Sequence, residues 1–393
     1  MRYIGIDIGS EKHFFAVVNA EGEVARKATS FFEDDVGYAK LLADLGEPTE
    51  TLVAMEATGH YWQNLFAALA ARGFKIALLN PLRTHRFAQE DLRRAKTDAI
   101  DALGIARFAQ QKKPPATPLD DDATQELREL VHHRDRLVQE LGDQVRRLHR
   151  IVDLGFPELT RYLKDLSSDL SIGILSRYPT ARAFDGVPAG ELANLRCGRY
   201  TVGRKLAGEI LDAAKRSVGA HHGPAYRLQA EHACEDIETL KRRLSRVEPQ
   251  IKDALDKHEV GKLLTTIDGI GDTTAARLIA ELGDITDFDS ADALAAYVGV
   301  VPGTRHSGKS APVSQRLTPI GHAALRAKLF MPTLSATKRN AWLRRFYERL
   351  RAAGKPAKVA LVAAMRKLLH AIYSVAKNRR AFVPRLSLTE APA

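Results

Sequence analysis

Four carboxylates define the chemistry that this sequence can support. Asp7 lies in Met1-Arg-Tyr-Ile-Gly-Ile-Asp-Ile-Gly-Ser10, an apolar β-type run with no Lys or Arg close to the acid. A charge among apolar neighbours needs a partner, and the cheapest arrangement puts Asp7 at a strand's exposed end as ligand to a cation. Glu56 ends a second strand-like run, Thr51-Leu-Val-Ala-Met-Glu56, while Asp98 and Asp101 follow in Lys96-Thr-Asp-Ala-Ile-Asp101. The last two stand at i and i+3 of an expected helix, so their side chains share a face. Hard oxygen ligands with no cysteine nearby select Mg2+ or Mn2+.

The elements that must position these acids follow from patterning. Strands are expected over Tyr3–Ile8, His13–Asn19, Val24–Ser30, Thr51–Met55 and Lys75–Leu79, with helices over Val36–Leu45 and Tyr61–Arg72. A β-meander followed by alternating α and β elements is the order of an RNase H-like fold. In that fold acids on the first strand, the fourth strand and a later helix converge at one sheet edge. Two divalent ions about 4 Å apart, bridged by such carboxylates, would activate the attacking oxygen and stabilise the leaving oxygen of a phosphodiester.

Composition agrees with a nucleic-acid substrate. The 393 residues carry a formal charge of +11, which makes a polyanion the expected large partner. Two cysteines, Cys197 and Cys234, fit a reducing cytosol and leave no Cys-rich zinc site. No run of 18 apolar residues occurs and the N-terminus reads as a strand, so neither a membrane span nor a secretion signal is expected.

Lys112-Lys-Pro-Pro-Ala-Thr-Pro118 reads as a stiff linker closing a first domain at 1–112. A helical region at 113–260 follows. Its heptad-spaced apolar positions run from Leu127 to Val152 and from Ala230 to Ala254, and suit a coiled coil formed within the chain or across subunits. Residues 156–225, punctuated by prolines, read as shorter helices. The third region, 261–393, opens on Ile267-Asp-Gly-Ile-Gly271, read as a helix-hairpin-helix with its second helix starting at Thr273. There Gly269 and Gly271 would let backbone N–H groups approach a phosphate. Tyr297-Val-Gly-Val-Val-Pro-Gly-Thr-Arg-His-Ser-Gly-Lys-Ser310 is a small-residue loop flanked by cations. From Arg326 to Arg380 fifteen Lys or Arg face one acid, Glu348, with Trp342, Phe346 and Tyr347 as possible stacking surfaces. Arg326, Arg344 and Arg345 are taken as nucleic-acid contacts.

Taken together, Gly5-Ile-Asp-Ile-Gly9, Met55-Glu-Ala-Thr-Gly59, Lys96-Thr-Asp-Ala-Ile-Asp-Ala102, Ile267-Asp-Gly-Ile-Gly271, Tyr297-Val-Gly-Val-Val-Pro302 and Ser307-Gly308 resemble the insertion-sequence one-ten family of DEDD transposases. That family includes an eleven-eleven group and Piv-like DNA invertases. The resemblance implies a RuvC-like domain, a coiled coil, and a C-terminal transposase domain whose serine attacks DNA. It also implies a structured guide RNA. Carried over position by position, the acids are Asp7, Glu56, Asp98 and Asp101, and the nucleophile is Ser307, with Ser310 the competing hydroxyl. Arg305 and Lys309 would neutralise the phosphorane. Asp268 stands where the family usually has proline.

The expected protein is therefore a bacterial cytoplasmic DNA transposase or recombinase, metal-dependent, acting as a homodimer or homotetramer with DNA and a guide RNA. Two other readings stand beside it. One is a metal-dependent nuclease resembling a Holliday-junction resolvase, in which the same acids activate water. The other, non-enzymatic, is a sugar-kinase-like or actin-like ATP-binding fold, which also opens on Gly-Ile-Asp-Ile-Gly. The missing second Asp-Gly-Gly phosphate loop and the basic C-terminal region count against it.

Overall fold

The computed structural model describes residues 1–90, 97–301, 317 and 320–384. These fall into two compact units, Met1–Leu119 and Asp120–Ala393. The proposed Ser307, with Arg305, His306, Lys309 and Ser310, lies outside the described residues.

In the first unit β1 (Arg2–Asp7), β2 (Lys12–Val18) and β3 (Val24–Phe32) form the meander. α1 (Asp35–Leu45), β4 (Thr51–Glu56), α2 (Gln63–Ala70), β5 (Lys75–Leu79), α3 (Pro81–Glu90) and α4 (Asp98–Lys112) follow. The sheet order is β3-β2-β1-β4-β5, with β1 antiparallel to β2 and parallel to β4. This mixed sheet is consistent with an α/β RNase H-like domain. Alternation splits β1 and β4 between two cores. Ile4, Ile6, Val53 and Met55 pack with residues of α1 and α2. Tyr3, Leu52 and Ala54 pack on the other face with Ile105, Phe108 and Ala109 of α4.

Sequence patterning did not foresee α3. Asn80-Pro81 reads as a chain break, but it starts a helix. Asn80 accepts from the Leu82 amide at 2.9 Å and Pro81 occupies the first turn, where its missing N–H costs nothing.

The second unit is helical. It comprises α5 (Asp122–Gly155), α6 (Asp169–Leu175), α7 (Ala189–Asn194), a ribbon of β6 (Arg196–Cys197) and β7 (Tyr200–Thr201), α8 (Arg204–Lys215) and α9 (Pro224–Lys257). α10 (Glu259–Leu264), α11 (Asp272–Leu282), α12 (Ala291–Val298), α13 (Ala323–Arg339), α14 (Ala341–Ala352) and α15 (Ala357–Asn378) complete it.

The two 34-residue helices pair within the chain. Thr124 near the start of α5 meets His258 just beyond α9 at 3.1 Å, and Arg134 meets Glu248 at 3.0 Å, so the pair is antiparallel. One end of it shares a core with α6 to α8, including both buried cysteines. Burial raises the Cys197 thiol, and burial followed by three neighbouring glutamates pushes Cys234 up to about 12, which makes both packing residues. The other end shares a core with α10 to α15. α15 is long and apolar enough to cross a membrane, but 61% of its most apolar stretch is buried. Leu361, Met365, Leu368, Leu369 and Ile372 fill that core, which accounts for its composition.

Candidate functional site

The acids are placed by the sheet and by one close helix contact. In the register of β1 and β4, Ile6 pairs with Met55, so Asp7 and Glu56 come next on adjacent parallel strands, roughly 4.8 Å apart in backbone spacing. Tyr3, Gly5 and Asp7 share one face by alternation, as do Leu52, Ala54 and Glu56. That is the face α4 covers.

α4 approaches until nothing separates it from β1. A Cβ on Gly5 would lie 2.1 Å from the Ala106 nitrogen and 2.2 Å from the Ala102 oxygen. Only glycine fits against a helix backbone so near, and Ala102 and Ala106 are fully buried beside it. The helix runs against the strand direction. Gln110, near its end, donates at 2.9 Å to the Ala20 carbonyl in the turn beyond β2, while Val18 pairs with Tyr3 at the start of β1. The N-terminus of α4, with Asp98 and Asp101 in its first turn, thus points toward the Asp7 end. Thr97 caps the helix through the Ile100 amide, which leaves Asp98 out of the capping role.

All four carboxyls reach solvent to some degree: Asp7, Glu56 and Asp101 are half-buried and Asp98 is exposed. Among the described residues no three His, Cys, Asp or Glu side chains approach closely enough to hold an ion as they stand. The donor set itself, carboxylate oxygen, suits a hard divalent ion.

Two supporting side chains escaped sequence reading. Thr84 of α3 donates a very short hydrogen bond to Glu56. The N-cap asparagine and first-turn proline at 80–81 are the signal that could have revealed it. His13, fully buried on β2, accepts from the Gly9 amide at 3.2 Å and makes a short contact with Glu33. Its Nδ1 accepts, so Nε2 carries the hydrogen. The Tyr38 hydroxyl donates to the same carboxylate at 2.8 Å, and burial, then Glu33, raises its pKa. This chain pins the turn that follows Asp7.

In the second unit residues 265–271 connect α10 and α11. Gly269 has φ +100, and a Cβ there would come within 2.5 Å of Ala336 on α13. Its packing against α13 therefore requires glycine. Gly271 is exposed and is the N-cap of α11, which starts at Asp272 and not at Thr273. The described residues on either side of the segment that carries Ser307 are bonded to one another. The His322 amide donates to the Tyr297 carbonyl at 2.7 Å, and Arg326 donates to the carbonyls of Val298 and Gly299 at 3.3 and 3.2 Å. Arg326 thus ties α12 to α13. Arg344 and Arg345 are exposed on α14, with Arg344 bonded to the Lys338 carbonyl. Trp342 and Phe346 are half-buried against the core with Lys367 4.5 and 4.4 Å from their rings, which argues against open stacking surfaces.

Comparison with known proteins covers both units. A family model described as a transposase, that of the IS110 DEDD type, matches residues 4–157, and one described as "Transposase IS116/IS110/IS902 family" matches 261–348. The chain is 26% identical over 393 residues to a pilin gene-inverting protein of Moraxella bovis, covering 98% of each. It is 25% identical over 397 residues to the uncharacterized 44.8 kDa protein of insertion element IS116 from Streptomyces clavuligerus, covering 99% of this chain and 98% of the other. It is 30% identical over 341 residues to the mini-circle candidate transposase for IS117 of Streptomyces coelicolor, covering 80% and 79%.

Proposed function

Because the chain belongs to the IS110 family of insertion-sequence transposases and is an enzyme of DNA transposition or recombination, we propose that it exchanges DNA strands through a covalent phosphoserine link. Asp7, Glu56, Asp98 and Asp101 are the proposed ligands of Mg2+ or Mn2+, and Ser307 the nucleophile. A structured RNA is the proposed guide, a homo-oligomer the acting form, and the bacterial cytoplasm the compartment. The observation that supports this reading is that Asp7 and Glu56 follow the last registered pair at the ends of adjacent parallel strands, on the face that α4 crosses with its own two acids in its first turn.

When bound, a divalent ion supplies polarisation of the scissile phosphate and easier loss of the attacking hydroxyl's proton. The chain's own residues do the rest. Thr84 holds one oxygen of Glu56, and His13 fixes the turn after Asp7, so the two strand-end carboxylates are oriented before substrate arrives. Arg305 and Lys309 flank the proposed serine in sequence and would offset the negative charge on the phosphorane oxygens.

The test uses isosteric neutral variants. Asp7→Asn, Glu56→Gln and Asp101→Asn should each abolish strand cleavage in Mg2+, while stability to urea changes by less than about 1 kcal/mol, because each site reaches solvent. Wild-type cleavage by any of the three would remove that residue from the metal site.

A further inference from the structure

Between α5, α11 and α13 lies an open cleft of about 540 Å³, lined by Arg134, Arg136, Asp135, Arg277, Lys328 and the threonines at 273 and 274. We propose that it seats a phosphodiester of a nucleic-acid backbone, at a site distinct from the acid cluster and from the serine loop. The inference rests on the reading that this protein handles nucleic acid.

Charge supports it first. Four cations line the cleft against one carboxylate, Asp135. That acid takes two parallel hydrogen bonds from the nearly buried Arg277, at 2.5 and 2.6 Å, and pairs with Lys328. A lone guanidinium at that depth would be costly, so Asp135 serves mainly to neutralise Arg277. Glu248, outside the cleft, pairs with Arg134. Arg136 is exposed and among the described residues has no ion-pair partner, while the Lys328 side chain keeps 38% of its surface in solvent. Positive charge is left over in a concave place, where it attracts an anion most strongly.

Hydrogen-bond donors support it second. α11 begins at Asp272 with Gly271 as its cap, and that cap offers no side-chain acceptor. The Thr274 and Ala275 amides donate to the Gly271 carbonyl at 2.9 Å, which leaves the N–H groups of Asp272 and Thr273 for an acceptor from outside the helix. Thr273 and Thr274 add hydroxyls from the same turn to the cleft wall. The space where a Gly271 side chain would stand is open. Asp272 belongs to this turn but does not line the cleft. Cations on three helices and donors at the start of one of them, α11, suit a group with several acceptor oxygens. An open cleft suits one unit of a polymer passing through better than an enclosed small molecule.

The experiment uses the full chain without divalent metal, titrated with salt against a short duplex DNA and, separately, an RNA hairpin of similar length. Arg136→Glu is compared with Arg227→Glu, the same charge change at an exposed position on the far end of the α5–α9 pair. Arg136→Glu should weaken binding about tenfold and make the slope of log affinity against log salt shallower by about 1, whereas Arg227→Glu should do neither. An effect on DNA alone, RNA alone or both supports the site and identifies the source of the phosphate. Identical behaviour of the two variants on both probes overturns it. Because no cleavage is scored, this outcome is independent of whether the recombination chemistry holds.

Discussion

Asp135 shows what a single carboxylate can hold together. Burial raises its pKa, but hydrogen bonds and charge from Arg277 and Lys328 outweigh that and hold it at about 2. A carboxyl depressed below its unfolded value near 3.9 stabilises the fold above about pH 4, and the contribution is lost as pH falls toward 2. Asp135→Asn should therefore cost about 3 kcal/mol at neutral pH, because it leaves Arg277 buried and unpaired. In urea melts the gap between wild type and variant should narrow between about pH 4 and 2; a gap independent of pH would contradict this role. Sequence alone did not reveal the pairing: Asp135 and Arg277 are 142 residues apart and each looks like an ordinary charge on a helix face. Asp7 and Glu56 were legible because a charge ending an apolar run is unusual. His13 was not, since its value comes from Gly9, Glu33 and Tyr38, which only the folded sheet brings to it.

At the scale of elements, α4 is the part whose position matters most. Its contact with β1 is backbone against backbone at Gly5, and neither side has a flexible atom that can yield. Gly5→Ala should displace the helix, cost about 1–3 kcal/mol, and reduce cleavage more than stability accounts for, since Asp98 and Asp101 travel with α4. A stable Gly5→Ala protein with full cleavage would show that the exact seat of α4 is unimportant. The β-meander and the two long amphipathic helices could be read from period-2 and heptad patterns. Whether the long helices meet each other could not, because an apolar seam specifies a partner surface and not whose surface it is. α3 was hidden by treating Asn80-Pro81 only as a break. The aromatic residues of α14 looked available for stacking, although Trp342 and Phe346 face Lys367 and the core.

For the molecule as a whole, the residues to which the proposal gives one chemistry fall in two folded units. The first holds Asp7 and Glu56 at neighbouring strand ends and Asp98 and Asp101 in the first turn of α4; the second holds the excess of positive charge and the contact of α12 with α13. The second unit's helical core runs from Leu127 through Val247 to Ala376, so a fragment starting near 258 would lose two of its walls, and measurements belong on the full chain. The most direct measurement of the central claim is a trap on a nicked suicide DNA substrate in Mg2+, resolved on denaturing gels. A hydroxyl that attacks phosphorus conserves the phosphodiester energy in a protein–DNA bond, and water does not. The wild type should accumulate a covalent adduct that maps to Ser307, Ser307→Ala should form none, and Ser310→Ala should form less. Free DNA ends without adduct, with cleavage undiminished in Ser307→Ala, would contradict the account and assign the acids to a nuclease that uses water.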